Sequence, residues 1–266
     1  MIEVKQFNHT TALLNRVSFL GYSMSVYQFI IDGMLIDGGA PKLLKKLIPF
    51  YKEYSNDIDF VSITHNHEDH TGTSAWLQKE YNLPIYIHEG AIEDCTKKAA
   101  YPLYRKLMWG ERLPFHAHPY PETINTRNHE WSIIPTPGHE KHHVCLFNKE
   151  NGRLFTGDLF VTPKTKLIME EESIPQIISS LRTVQQLDFE EMYCCHSGYH
   201  SNGKEMIAMK LRYLEEISDK VHHMYNQGKP VSEINKELFP KNPSLIYYSS
   251  RQWDSKHIIR SILQET

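Results

Sequence analysis

The chain is poor in cysteine, and the four it has, Cys95, Cys145, Cys194 and Cys195, form no disulfide framework. A reducing, cytoplasmic setting is the expectation. It lacks any apolar run of roughly 18 residues, so no membrane-spanning helix is expected. Its first residues, MIEVKQFNHTTALLN, show no basic start leading into an apolar stretch, so no secretory signal is read there. It lacks a charge excess: 29 Lys plus Arg against 32 Asp plus Glu leaves −3 at pH 7. That balance disfavours a protein whose main partner is nucleic acid, although a local basic groove stays open. No repeat or low-complexity segment is present. What the chain does carry in number is histidine, with 16 residues.

Strand and helix patterns are intermixed, which predicts an α/β fold with partly antiparallel sheets. Residues 24–31 and 34–37 are apolar or β-branched and are joined by Asp32-Gly33, a two-residue hairpin signal. Pro41 opens a helix in which Leu43, Leu44, Leu47, Ile48 and Tyr51 recur with helical period. Residues 58–63 read as a buried strand ending at Thr64, 73–81 as a short helix and 84–88 as a strand. The aromatic-rich segment 91–125 reads as an insertion or a lid. Strands return at 131–134, 143–147, 153–156 and 189–195, with a helix capped by Ser173 before the last. The expected division is a catalytic domain over 1–203 and a helical extension over 204–266. Met206, Ile207, Leu211, Leu214, Ile217, Val221 and Met224 open that extension as one amphipathic helix ended by Gly228.

The chemistry concentrates at strand ends. Thr64-His65-Asn66-His67-Glu68-Asp69-His70 directly follows the 58–63 strand. On an extended loop, His65 and His67 can converge on one ion. Asp69 and His70 are adjacent and diverge, which suits a second ion nearby. Imidazole and carboxylate without thiolate favour zinc, manganese or iron. A polar loop with chance histidines is the competing reading. Three segments weigh against it: His139 follows one strand, Asp158 another and His196 a third. Ligands for one centre need to come from separate strand ends on one sheet edge.

The ordered set His-x-His-x-Asp-His, then Gly138-His139, then Asp158, then His196 resembles the metallo-β-lactamase superfamily over about residues 24 to 200. Within it the chain is most similar to glyoxalase II and the lactamase-like endoribonuclease group, and Thr136-Pro137-Gly138-His139-Glu140-Lys141-His142-His143 is similar to the latter's Thr-Pro-Gly-His-x-x-x-His. The resemblance implies a four-layer αβ/βα sandwich. It implies His65, His67 and His139 on a first metal, Asp69, His70 and His196 on a second, and Asp158 bridging both. It also implies that Asp37 orients a ligand histidine, although a plain turn carboxylate competes for that residue. The last histidine stands in Cys194-Cys195-His196-Ser197-Gly198 rather than the commoner Pro-Gly-His-Gly, which leaves the substrate open.

The expected activity is that of a dinuclear hydrolase with two divalent ions, zinc first. A metal-bridging hydroxide would attack an ester, thioester, lactone or phosphodiester. Asp69 would orient the nucleophile. His200, Tyr199 and His143 are candidate proton donors by their nearness to ligands in the chain, with support of a ligand or plain packing as the competing reading of each. The alternatives are an iron-dependent persulfide oxidoreductase with a single metal, and an endonuclease acting on single-stranded RNA. A small-molecule substrate is favoured. Lys141 could meet an anionic substrate, although a solvated surface lysine is the favoured reading, and Arg251, Lys256 and His257 in the tail either reach a substrate or decorate a helix.

Overall fold

The computed structural model describes residues 2–19, 21–241 and 243–264. Two sheets meet face to face, and the side-chain alternation of their strands decides what lies between and outside them. The first sheet begins with β1 (Glu3–Phe7), β2 (Thr10–Phe19), β3 (Tyr22–Ile31) and β4 (Gly33–Ile36), all antiparallel neighbours. It continues in parallel through β5 (Ile58–Ser62), β6 (Ile85–Ile87) and β7 (His118–Pro119). The β3–β4 turn is the Asp32-Gly33 pair, both at positive φ (50° and 90°), as a primed hairpin turn requires. The β1–β2 turn uses Asn8 and His9 in the same way, at 43° and 68°. This hairpin is unread in the sequence because β1 is an edge strand exposed along nearly its whole length and shows no alternation.

The second sheet holds, in spatial order, β14 (Gly198–His200), β13 (Glu191–Cys194), β11 (Arg153–Phe155), β10 (Val144–Asn148), β9 (Glu130–Pro135) and β8 (Thr123–Asn125). Phe29, Ile31, Met34, Ile36 and Phe60 of the first sheet meet Trp131, Leu146, Phe155 and Tyr193 of the second in one core cluster. Their strand neighbours Ile30, Leu35 and Val61 point the other way, onto α1 (Leu44–Glu53) and α3 (Ser74–Tyr81). Cys145, Phe147, Leu154, Met192 and Cys194 likewise leave the second sheet toward α6 (Ile174–Gln185), α7 (Gly203–Asn226), α8 (Val231–Leu238) and α10 (Ser255–Gln264). The layers are therefore helix, sheet, sheet, helix, as the resemblance implies. Truncating a core aromatic such as Phe29 removes contacts worth about 3–5 kcal/mol.

The structure divides the aromatic segment 91–125. Its first part forms α4 (Ile92–Thr96) and α5 (Leu103–Trp109). Its last part supplies β7 and β8, one edge strand to each sheet. The tail is helical, with one departure: β15 (Trp253–Asp254) pairs with β12 (Ile168–Met169). Two-residue strands are too short to carry a period-2 signal. Among the described residues no helix is long and apolar enough to cross a membrane.

Candidate metal centre

The strand ends converge on one edge of the sandwich. After β4 the chain turns through Asp37, a fully buried aspartate at φ 61°. Its carboxylate accepts from the Thr64 backbone N–H (2.8 Å) and hydroxyl (3.0 Å), which pins the start of the loop after β5. Its Oδ2 also lies 2.8 Å from His70 Nδ1. His70 sits on α2 (Glu68–Thr71). Its Nδ1 is engaged with Asp37, so Nε2 is left to face the centre.

Three nitrogens gather first. His67 Nδ1 lies 3.0 Å from His65 Nε2 and 3.1 Å from His139 Nε2. A second group gathers beside it: Asp69 Oδ2 lies 3.4 Å from His196 Nε2 and 3.8 Å from His70 Nε2. Asp158 stands between the groups. Its Oδ2 is 3.0 Å from His196 Nε2 and 3.5 Å from His139 Nε2, and its Oδ1 is 3.6 Å from His70 Nε2. His70 Nε2 and Asp158 Oδ1 are buried and have no hydrogen-bond partner among the described residues. Buried orphaned polar atoms are costly. Two of them facing each other inside a ring of imidazoles and carboxylates fit divalent cations.

Like His70, the rings of His139 and His196 are aimed from behind. His139 Nδ1 meets Glu172 Oε2 at 2.9 Å, and Glu172 Oε1 accepts the Met169 N–H at 2.7 Å. His196 Nδ1 donates to the Ser25 carbonyl at 2.7 Å. The Cys195 thiol donates to Asp37 Oδ2 at 2.9 Å. Glu68 forms a fork with Arg105 of α5, with both contacts at 2.6 Å. Such partners set the ring tautomer and orientation. Sequence reasoning missed Glu172 and Arg105, because no spacing ties them to the loops they serve; Glu68 lies within the His65–His70 loop, but nothing local shows that Arg105 answers it. The pairing of Cys195 with Asp37 was likewise unread: both adjacent cysteines are fully buried, and Cys194 sits in the core under β13.

Electrostatics separates the rings. Burial, then the neighbouring cationic His70, holds His65 well below its ordinary pKa. Burial, then Arg105, does the same to His67. Both therefore keep a free lone pair. For His70 burial opposes protonation, but Asp37, Asp158 and Asp69 outweigh it and raise the pKa well above the usual value. Burial opposes protonation of His196 too, and Asp158 and Asp69 overcome it to reach about 9. Asp158 ionises more readily despite burial, because His196 and His70 outweigh it.

The two histidines read as proton donors take different places. His143 is buried behind the centre. Its Nδ1 is 2.8 Å from Thr136 Oγ1, and its Nε2 accepts the Asp158 N–H at 3.0 Å. Burial lowers its pKa to about 3. Gly157 makes this turn possible: it sits at φ 47°, and a Cβ there would come within 2.6 Å of His143 Nε2. His200 lies on β14, with Nε2 2.8 Å from Ser197 Oγ and its ring against Phe160. It does not line the cavity over the ligands.

That cavity, of about 400 Å³, is floored by His67, Asp69, His139, Asp158 and His196. Tyr104, Arg105, Met108 and Trp109 of α5 form one wall, and Ile168, Met169 and Trp253 another. Lys141 is exposed and absent from the lining, while Arg251 pairs with Asp254 at 2.7 Å.

The family profile of the metallo-beta-lactamase superfamily matches residues 32–196, more than half of the chain. The chain belongs to the metallo-beta-lactamase superfamily. It is a metal-dependent hydrolase of that superfamily. It is 24% identical over 250 residues to the probable metallo-hydrolase YqjP of Bacillus subtilis, covering 77% of each chain. It is 29% identical over 125 residues to a hydroxyacylglutathione hydrolase of Marinomonas, covering 47% of this chain and 41% of that protein. A metallo-beta-lactamase family protein of Thermus thermophilus has the same fold, with a TM-score of 0.71 at 15% identity over 97% of this chain and 93% of that one.

Proposed function

We propose that the protein is a dinuclear hydrolase of small molecules. In this reading His65, His67 and His139 hold one divalent ion, Asp69, His70 and His196 hold a second, and Asp158 bridges them. The supporting observation is the pair of orphaned atoms, His70 Nε2 and Asp158 Oδ1, lying 3.6 Å apart where the two donor groups meet. Donors limited to imidazole and carboxylate suit zinc, with manganese or iron as substitutes. Bound there, the ions supply a water acidic enough to attack at neutral pH and a Lewis acid for the developing oxyanion.

The chain's own groups do the rest. Asp69 offers a carboxylate oxygen to the cavity and orients the attacking water by a hydrogen bond. Asp37, Glu172 and the Ser25 carbonyl hold His70, His139 and His196 at fixed angles, which limits reorganisation during the reaction. His143, with both nitrogens engaged, holds the Asp158 turn. Trp109, its ring centroid 6.4 Å from that of His196, shields one side of the centre from bulk water. Residues 1–203 form the catalytic unit, and 204–266 form an extension docked on its second sheet. Four buried, unpaired thiols accord with a cytoplasmic setting.

Relatives named for hydroxyacylglutathione make an acyl thioester the first substrate to try, ahead of lactones, other esters and phosphodiesters. Elemental analysis of the purified protein, paired with this panel, tests the reading. Two equivalents of metal with hydrolysis of one class is the expected result. A single iron with oxygen consumption on a persulfide would overturn it in favour of an oxidoreductase. Salt-sensitive cleavage of single-stranded RNA, without small-molecule turnover, would overturn the substrate.

A further inference from the structure

The first helix of the extension, α7, buries a stripe of Gly203, Ile207, Lys210, Leu214, Ile217, Val221 and Met224. Lys210 is the one charged residue in it, at 5% exposure. An apolar residue would pack there at less cost, because a buried ammonium without a counter-charge is expensive. Lys210 Nζ donates to the Leu159 carbonyl at 2.8 Å and lies 6.0 Å from the centre of the Phe160 ring. An ammonium has three donors. Among the described residues no carboxylate lies within 4.0 Å of it, and no second acceptor is bonded to it.

Lys210 lines the same cavity as Asp69, Asp158 and His196. Arg105 also lines it, but its guanidinium is consumed by Glu68. Lys164 and Lys166 are exposed at its edge. The remaining wall is largely apolar, with Met108, Trp109 and Trp253 prominent. Such a wall suits a hydrocarbon or aromatic portion, and the spare ammonium donors suit an anion.

We propose that the C-terminal extension completes the substrate site, with Lys210 binding a carboxylate or phosphate carried by a substrate whose other part is apolar. The proposal rests on the hydrolase reading only in naming the occupant as substrate. It makes Lys210 a binding residue, and the extension a determinant of specificity rather than a mere prop for the second sheet.

Calorimetric titration of the purified, metal-containing protein with hexanoate, hexylphosphonate and hexanol tests it. The first two probes distinguish the carboxylate from the phosphate source, and hexanol reports the apolar wall alone. Lys210→Met is expected to weaken the better anion about tenfold or more, as for loss of a charged hydrogen bond. Hexanol binding is expected to stay unchanged, and Lys210→Arg to restore most of the anion affinity. The melting temperature of Lys210→Met is expected not to fall, whereas a structural role would lower it. The proposal is overturned if both anions bind the Met variant as they bind the parent. It is also overturned if neither anion binds the parent more tightly than hexanol does. Thioester hydrolysis without Lys210-dependent anion binding would remove this proposal and leave the hydrolase reading. Lys210-dependent anion binding without hydrolysis of any panel member would do the reverse.

Discussion

The floor and the walls of the cavity are built by different means. The floor is made of residues at strand ends, each ring fixed by a partner behind it: Asp37 behind His70, Glu172 behind His139, the Ser25 carbonyl behind His196. The walls are made of helices α5 and α7 and the short β12–β15 pair, and their charged residues are held by few contacts: the two-bond Arg105–Glu68 fork and the single Lys210–Leu159 bond. A floor of this kind tolerates little displacement, because His70, His139 and His196 are each fixed from behind. A wall of this kind can differ among chains of one fold without disturbing the floor. In the proposed reading, chemistry belongs to the floor and selectivity to the wall.

The largest effect should come from striking the floor at its shared residue. Asp158→Ala should remove at least one equivalent of metal and lower turnover by roughly a thousandfold or more. Its far-UV spectrum should remain that of the folded chain. Full activity in this variant would show that the two donor groups work without a bridge.

Next comes the joint between floor and wall. Arg105→Met leaves Glu68 buried and unpaired, and should cost about 3–5 kcal/mol in denaturant unfolding. Adding Glu68→Met should recover much of that loss. If the double variant is no more stable than the single one, the fork is not the origin of the effect. Breaking a partner behind the floor should cost less. Glu172→Gln keeps the shape but removes the charge facing His139, and should weaken metal binding about 10–100-fold in a chelator competition. An unchanged affinity would place Glu172 among ordinary packing contacts.

Acid stability sharpens the same contrast. His143 has a pKa of about 3 in the folded state, below its ordinary value of about 6.5, through burial. Its contribution is therefore complete above pH 6.5 and is lost as pH falls from there toward 3. In metal-free protein, the unfolding free energy of the parent should fall with acidification more steeply than that of His143→Asn. The difference should approach ~1.4 kcal/mol per pH unit over this window. Parallel curves would mean that His143 is protonated in the fold. Smallest of all, Lys141→Ala should change stability by less than about 0.5 kcal/mol and leave turnover untouched.

Much of the fold was legible along the chain. The Asp32-Gly33 turn, the run from 58 to 63, the Ser173 cap and the long amphipathic helix are local signals with local causes, and each stands where the pattern puts it. The β1–β2 hairpin was not legible, because an exposed edge strand has no apolar face to alternate. The strands β12 and β15 were not legible because each is two residues long and owes its pairing to the other, far away in sequence. At the site, the strand-end histidines and aspartates announced themselves by spacing. Cys195 did not, since nothing in Cys-Cys-His says that its thiol meets Asp37, 158 positions earlier. His143 and His200 stood beside candidate ligands in the chain, yet neither lines the cavity, which proximity in sequence does not decide.

The sequence by itself determined the donor types, their order and their attachment to strand ends, and hence the family and the metal-dependent class of chemistry. A ligand loop follows its strand directly, so chain order and spatial order coincide there. Only the tertiary structure decided what stands behind each ligand and what encloses the cavity. Glu172, Arg105 and Lys210 arrive from segments packed onto the sheets from outside. Their positions follow from how whole elements dock, which no local spacing encodes.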